Sequence, residues 1–529
     1  MSSEEELTLK SAIAPIVLLR AYGEKLAPSI APFVGTLGVM LPYSPIHHLL
    51  FKHPHFGIGD SLSTLVMTSG NRSEEPIAAE NDEALERLSC IADAFLTHNR
   101  QIVLRADDSI VRVIRGQATV FRRSRGYVPM SFRLVNDSDT DLKTSGRSDS
   151  ADGSQHKPEN SPTVLGVGAD LKNAPAILDG QLLTPGPHVG DLESPEAQDY
   201  FARSINTLTE YLEVTPSLIA FDPHPGYFSS SLAQQYDKKL IPVYHHHAHA
   251  VSLLLEHAID GPILFVVFDG TGYGDDGTIW GGEFLLADRI GFQRVARLRP
   301  FSLIGAEAAI REPIRIVANL IAIFNGGTIP ERMIPLFGAA ASKTKLWLEA
   351  WKKDINSPLT SSAGRFFDAA AVLAGFTRHV TFEGQAAMWL ESIADDFENK
   401  SYVLNFHNNN ILEPDVASLL TAMAEDALNG TSPEKLAARF HNSIANLIVE
   451  TVQKLSHCNP TGIVGLTGGC FQNKRLAEDT ADKLEKAGYK VLCHQNIPVN
   501  DGGIAIGQAV AGKEIWLRGN RLYDDAVEN

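Results

Sequence analysis

Short apolar runs, most of them closed by Gly, Asp or a turn, alternate with helix-length amphipathic stretches along most of the chain, and this alternation predicts an α/β protein. In the first quarter the strand-like runs are Ile16 to Leu19, Leu37 to Leu41 and Leu65 to Thr68, beside a helical pattern from Asn81 to Leu96. They predict a small α/β unit over residues 1–133. From Leu134 to Ser161 the periodicity vanishes and Ser, Asp, Gly, Asn and Lys dominate, so a disordered linker is expected over 134–161. Then come TVLGVG, LIAFD, ILFVVFDG, GIVGLTGG and KVLCH, separated by segments long enough for helices. These predict a second, larger α/β domain over 162–516, with a tail over 517–529. No fixed-period repeat, sustained heptad or Walker lysine motif interrupts the pattern.

A length of 529 residues calls for more than one core. Lys and Arg total 46 against 63 Asp and Glu, a net charge of −17, which disfavours nucleic acid and anionic membrane as partners because both begin with neutralisation of phosphate. Cysteine is sparse: Cys90, Cys458, Cys470 and Cys493 form no CxxC pair, so neither a disulfide framework nor a Cys-rich zinc module is expected. The opening MSSEEELTLK is acidic where a signal peptide is basic and apolar, and no apolar run reaches the ~18–20 residues of a membrane span. The expectation is a soluble cytoplasmic protein.

The strongest chemical signal is Tyr244-His245-His246-His247-Ala248-His249 ahead of the helical AVSLLLEHA. A helix starting there stacks His245 and His249 one turn apart, able to share one metal ion. The HExxH peptidase pattern needs Glu where this chain has His246, so peptidase chemistry is disfavoured. For an isolated pair the alternative is a polar helix start whose histidines only hydrogen-bond.

Two strand-end aspartates extend the set. Asp269 closes ILFVVFD and opens the turn Gly270-Thr271-Gly272-Tyr273-Gly274-Asp275-Asp276-Gly277-Thr278, read as a hairpin whose free backbone N–H groups cradle phosphate. Two acidic residues at its tip would repel phosphate unless they hold a cation. Asp501, in NDGGIAIGQ, lies between a strand and a small-residue helix, with an N-cap as its alternative role. His245, His249, Asp269 and Asp501 are the expected metal ligands and catalytic centre. A His2Asp2 set suits iron, zinc or manganese. Two further glycine turns, GVGADLKN with Lys172 and LTGGCFQN with Gly468, Gly469 and Asn473, each follow a strand run. Three such loops in order match the plan of the actin/hexokinase/Hsp70 nucleotide-binding superfamily. Cys470 reads as a small packing residue, since no His adjoins it to activate a nucleophile.

In the first unit, Ser69 and Asn71 in TSGNRSEEP and Arg105 in RADDS offer donors for a nucleotide phosphate or carboxylate. Arg125 lies in FRRSRGYVP, a basic patch in an acidic chain. His47, His48, His53 and His55 are read as a loop without metal.

These motifs together resemble the hydrogenase-maturation carbamoyltransferases over nearly the whole chain outside the linker. The first unit is similar to the later part of a YrdC-like domain in LGVMLPYSPIHHLLF, LVMTSGNRSEEPIA, HNRQIVLRADDSIVR and RRSRGYVP. The second is similar to the family's Kae-type domain in GADLKNA, PHVGDLES, FDPHPGY, YHHHAHA, FDGTGYGDDGTIWGGEF, FEGQAA, LTGGCFQN and NDGGIAIGQ. The resemblance implies a truncated YrdC-like domain followed by an actin/Hsp70-like two-subdomain nucleotide-binding domain. It also implies ATP, Mg2+ and a further divalent metal. Carbamoyl phosphate would become a carbamoyl-adenylate, and the carbamoyl group would pass to the C-terminal cysteine of a partner maturation protein. By the same resemblance Arg365, Asp368, Glu383 and Gln385 are nucleotide contacts. The family's acylphosphatase domain, zinc-binding segment and the opening of its YrdC-like domain have no counterpart here. An upstream start, an N-terminal partner fragment and a decayed adenylation site are the three readings of that difference. Transfer to a small-molecule hydroxyl or to tRNA, and a non-catalytic nucleotide-binding scaffold, are the competing functions.

Overall fold

The computed structural model describes residues 1–22, 27, 29–32, 34–52, 64–72, 75–134, 144–145, 161–377 and 379–527. The first unit is a four-stranded sheet in the order Thr36–Val39, Ile16–Arg20, Ile110–Ile114, Gln117–Arg122. Ile16–Arg20 runs parallel to Ile110–Ile114, and the outer pairs are antiparallel. Alternate residues Val111 and Val113 face inward with Val17 and Val120. Two expectations change here. Among the described residues Leu65 to Thr68 pairs with no strand, and Val66 and Met67 are exposed; a short apolar run has no ladder without a neighbouring edge in register. The helix from Asn81 stops at Leu88, because Ile91 and Leu96 have no apolar surface to cover and stand exposed. His47 and His48 lie on a short helix, Pro45–Phe51, rather than in a loop, whereas His53 and His55 fall outside the described residues.

The second unit has two seven-stranded sheets. One is ordered Lys239–Pro242, Leu218–Phe221, Val164–Gly166, Ala176–Asp179, Leu182–Pro185, Ser131–Arg133, Thr144–Ser145. The other is ordered Phe406–Asn408, Leu412–Pro414, Phe292–Arg297, Gly282–Ala287, Ile263–Phe268, Ile463–Thr467, Lys490–Cys493. Between them lie two helices. Ile504–Val527 packs on the first sheet and His245–Glu256 on the second, and the two helices pack on each other. At their crossing a Cβ on Gly507 would sit 1.9 Å from the Ala248 carbonyl oxygen, so only glycine lets the backbones approach so closely. This is the α/β architecture of a two-subdomain nucleotide-binding fold, with the space between the halves floored by the two helices.

The expected boundaries shift in detail. Ser131–Arg133, on the near side of the 133 boundary, is a strand of the second unit, paired antiparallel with Leu182–Leu183. Thr144–Ser145 pairs with Ser131–Phe132, while 135–143 and 146–160, most of the expected linker, lie outside the described residues. The expected tail from 517 continues the last helix through Val527.

The units dock along the strand hairpin 110–122. Arg112 pairs with Glu391 at 2.8 Å and donates to the Gln472 carbonyl, and Glu391 accepts from the backbone of Lys474. The Val120 N–H donates to the Gln495 carbonyl at 2.8 Å. Because Arg112 and Glu391 are both mostly buried, removing one strands the other. Glu391→Ala should therefore lower the melting temperature of the first unit by an amount equivalent to about 1.5–3 kcal/mol. Differential scanning calorimetry should show its transition separating from that of the second unit.

Candidate functional site

The run PVYHHHAHA follows the strand Lys239–Pro242, and the helix begins at His245, as its spacing predicts. His245 and His249 therefore stack on one face. Asp269 follows the strand Ile263–Phe268, and Asp501 opens the short turn Asp501–Gly503 leading into the Gly507 helix. The close helix crossing brings Asp501 over the histidines. His249 Nε2 lies 2.9 Å and His245 Nε2 3.6 Å from Asp269 Oδ2, and they lie 3.8 and 3.7 Å from Asp501 Oδ1. One ligand atom from each of the four residues lies within 4.8 Å of the others. Ligands ~2.1 Å from a tetrahedral ion are spaced by roughly 3.4 Å, close to most of these separations.

The fit rests on stranded atoms as well as distance. His245 Nε2, His249 Nε2 and Asp269 Oδ2 are buried and converge on one point, where their polar contacts are ion pairs with one another and with Asp501, at 2.9–3.8 Å, none aligned as a hydrogen bond. Asp269 Oδ1 is already occupied by the N–H groups of Gly270 and Gly469, leaving Oδ2 to the centre. Burial alone would lower the pKa of His245, but Asp501, Asp222 and Asp269 outweigh it and raise it well above the usual imidazole value. The carboxyl of Asp269, which burial would raise, is held well below its usual range by the two histidines. A cation there would satisfy the three stranded atoms together. His246, also fully buried, rests near Trp280 and is kept neutral by burial and by His245.

Asp222 was not among the expected residues. Its Oδ2 accepts from His245 Nδ1 at 3.1 Å and its Oδ1 from the His224 N–H, in complete burial. A proton held on Nδ1 leaves Nε2 as the lone-pair donor, the usual carboxylate–histidine–metal arrangement. The signal was available in sequence: Asp222 closes LIAFD as Asp269 closes ILFVVFD. Asp501 does not cap the last helix by its side chain; Asn500 supplies the cap to Gly502 N.

The glycine turns surround this centre. The Asp269 turn is a hairpin joining antiparallel strands. Its tip is not a cation site: Asp276 accepts from Thr278, Trp280 Nε1 and Arg294, and its pKa is lowered despite burial. Thr271 and Gly272 continue the turn, with Gly272 against His245 and His246. Gly468 has φ 97°, and a Cβ there would meet the Phe268 carbonyl oxygen at 2.4 Å. Cys470 packs against the core, and burial with Asp269 nearby pushes its thiol pKa well up, as expected of a packing residue. Asn473 caps the helix Lys474–Lys486 through Oδ1 and donates to His441 through Nδ2.

A second cluster lies beside Gly270. Glu383 Oε1 and Arg365 Nη2 approach it, Lys172 pairs with Glu383, and Arg365 pairs with Asp368 at 3.0 Å. Lys172 and Glu383 are both partly exposed, and Lys172 stays a cation because Glu383, Asp501 and Asp191 outweigh the desolvation that would lower its pKa. Burial raises the Asp368 pKa to about 6, with Arg365 only partly opposing it. Gln385 stands apart from this role, since its carbonyl accepts from the Thr381 N–H and hydroxyl. Lys172, Glu383, Gly469 and Asn500 line a cavity of about 910 Å³ between the units, with Arg112 and Arg122 on the facing wall.

The first-unit candidates do not converge there. Ser69 is exposed, and the Asn71 amide holds its own turn through the Arg72 and Glu75 carbonyls. Arg105 is buried against the Tyr200 ring and reaches Glu83. Arg125 donates to Asp108, Ile13 and Ala14 and lies over Tyr43. Arg123 is equally internal, bonded to the Tyr127, Met130 and Asn496 carbonyls. The expected basic patch is thus mostly structural, because guanidinium forks satisfy many carbonyls at once.

Comparison with known proteins follows the same division. Residues 159–256 match the family model described as HypF Kae1-like domain, and 265–508 match carbamoyltransferase, Kae1-like domain, second subdomain. Residues 1–124 match the Sua5/YciO/YrdC model, described as telomere recombination. A carbamoyltransferase HypF from Synechocystis sp. is 36% identical over 534 residues, covering 95% of this chain and 63% of that protein. A carbamoyltransferase HypF homolog from Cupriavidus necator is 32% identical over 369 residues, covering 68% of this chain and 92% of its own. The crystal structure of a full-length HypF in its phosphate- and nucleotide-bound form superposes with TM-score 0.87 and 36% identity, covering 97% of this chain and 76% of that one. This chain spans less than two thirds of the Synechocystis protein's length.

Two outcomes follow from the geometry. Asp222→Asn should weaken divalent-metal binding on the order of 10-fold, measured by competition with a chromophoric chelator. The raised pKa of Asp368 means that the folded chain binds this proton more tightly than the unfolded one, so its contribution to stability improves as pH falls through about 6. Asp368→Asn removes that step. The melting temperature of the variant minus that of the parent should be larger at about pH 8 than at about pH 5, as thermal melts would show.

Proposed function

The chain belongs to the HypF carbamoyltransferase family, and from that premise we propose that it performs the transfer half of an ATP-dependent carbamoylation. Water releases carbamate and inorganic phosphate from carbamoyl phosphate, and a carbamate oxygen then bonds the α-phosphorus of ATP as pyrophosphate departs, giving a carbamoyl-adenylate on the first unit's side of the cavity. The second unit then passes the carbamoyl group to the C-terminal cysteine of a hydrogenase-maturation partner. The carrying observation is the convergence of His245, His249, Asp269 and Asp501 beneath glycine turns that adjoin a cavity shared by both units. The −17 charge of the chain disfavours tRNA as the acceptor.

A carbamate is a poor electrophile because its nitrogen donates into the carbonyl, and the adenylate provides a leaving group to offset this. In the transfer step the thiolate sulfur bonds the carbamoyl carbon, the carbon–oxygen bond to phosphate breaks, and AMP departs with the electron pair, the thiol proton passing to water. Arg365 faces Gly270, and Lys172 joins it through Glu383; both neutralise phosphate oxygens, and Glu383 and Asp368 hold those cations in place. The N–H groups of Gly270, Gly468 and Gly469 are taken up by Asp269 Oδ1 and the Val499 carbonyl, so in this reading the phosphate is held by the paired cations rather than by the glycine amides. Asp222 holds His245 in the tautomer that presents Nε2. A divalent ion held by the His2Asp2 set would supply charge neutralisation for the departing phosphate.

A second reading, a nucleotide-binding scaffold, is favoured by the dispersal of Ser69, Asn71, Arg105 and Arg125 and by the exposed Val66, Leu96 and Val103 of the first unit. An N-terminal fragment completing that unit separates the two. Carbamoyl-phosphate-dependent ATP–pyrophosphate exchange should appear when the chain is mixed with the N-terminal fragment of a longer relative. Exchange by the chain alone would make the fragment dispensable. ATP binding without exchange in either mixture would overturn the enzymatic reading and leave the scaffold.

A further inference from the structure

The segment from Gln495 to Asp501 lies between the ligand-bearing helix and the first unit, and it is hydrogen-bonded to both. On the helix side, Glu256, the last residue of His245–Glu256, accepts from the backbone N–H groups of Gln495, at 3.0 Å, and Asn496. On the other side, the Gln495 carbonyl accepts from Val120 N at 2.8 Å and the Asn496 carbonyl from Arg123 at 3.3 Å. The last link is Asn500. Its Nδ2 donates to the Phe121 carbonyl at 3.0 Å, while its Oδ1 accepts from Gly502 N at 3.0 Å. Asn500 is buried in the docked protein, and undocking the first unit would break this bond and free the Asn500 side chain, and with it the turn it holds, to move.

One side chain thus spans the strand Gln117–Arg122 and the turn whose first residue, Asp501, carries Oδ1 to within 3.7 and 3.8 Å of the two histidines. We propose that Asn500 is a positioning residue that couples docking of the first unit to the metal centre: the Phe121 carbonyl holds the Asn500 amide, and the Asn500 amide holds the turn that aims Asp501. Coupling of this kind is reciprocal, so metal binding at Asp501 stabilises the docked strand by as much as docking improves metal binding. Transfer chemistry would then be assembled only while the adenylate-bearing unit is seated. The inference rests on the reading of His245, His249, Asp269 and Asp501 as a metal centre, and its test keeps the two apart.

The probe is Co2+ added to the full chain, with affinity read from the visible absorption of the bound ion and docking read from hydrogen exchange at the Val120 amide. In the parent chain Co2+ should slow exchange at Val120 by on the order of 5-fold or more, within the usual range of coupling between sites. Asn500→Ser keeps an oxygen for Gly502 N but is too short to reach Phe121. It should weaken Co2+ binding on the order of 10-fold and abolish the Co2+-dependent slowing. Arg115→Ala breaks a different contact between the same units, the pair with Glu485, and should leave Co2+ affinity unchanged. A parent chain that binds Co2+ with no change at Val120 would overturn the coupling without any variant. Equal affinity in Asn500→Ser and parent would do the same. A parent chain that binds no Co2+ would overturn the metal reading beneath it.

Discussion

Everything at the centre depends on two helices touching backbone to backbone. With glycine at 507 against the Ala248 carbonyl, the last helix lies closer to the histidine helix than any side chain would allow. Its N-terminal turn therefore projects Asp501 over His245 and His249. A similar close approach occurs between Gly166 and the Ala505 carbonyl, where a Cβ would come within 2.1 Å. The last helix is wedged between the first sheet and the histidine helix by small residues on both sides. Ligands drawn from opposite halves of the fold can share one point only because this sandwich is so thin.

The electrostatics follow from that convergence. Four titratable groups buried together would be costly unless charge were balanced. Asp222 and Asp269 bring negative charge to the histidines, and the stranded Nε2 and Oδ2 atoms leave room for a positive ion between them. The neighbouring quartet of Lys172, Glu383, Arg365 and Asp368 solves the same problem with paired side chains. Two differently balanced clusters thus flank one glycine turn, one suited to a cation and the other to phosphate oxygens.

Much of this was legible in the chain. Strand-end aspartates and a one-turn histidine spacing located the centre because both signals are local: an apolar run fixes where a strand ends, and helical periodicity fixes which side chains share a face. The arginines of the first unit were misread because the same local chemistry, a guanidinium in a turn, serves phosphate or backbone carbonyls equally well. Whether Arg125 meets a ligand or Ile13 and Ala14 depends on contacts more than a hundred positions away. Leu65 to Thr68 failed as a strand for a related reason, since pairing needs a partner edge that composition does not reveal. Asp222 carried the same mark as Asp269 and became visible as a functional residue only when the fold brought it to His245.

The strand Ser131–Arg133 changes the meaning of the polar stretch that follows it. Because that strand and Val164–Gly166 belong to one sheet, the chain between them leaves and re-enters the same body. The covalent bridge between the two units is instead the short, well-anchored passage from Arg123 to Met130. That passage, held by the Arg123 bonds to the Tyr127 and Met130 carbonyls, therefore sets how far the units can separate. A chain spans at most ~3.3–3.6 Å per residue, so a connection this short keeps the local concentration of one unit about the other high.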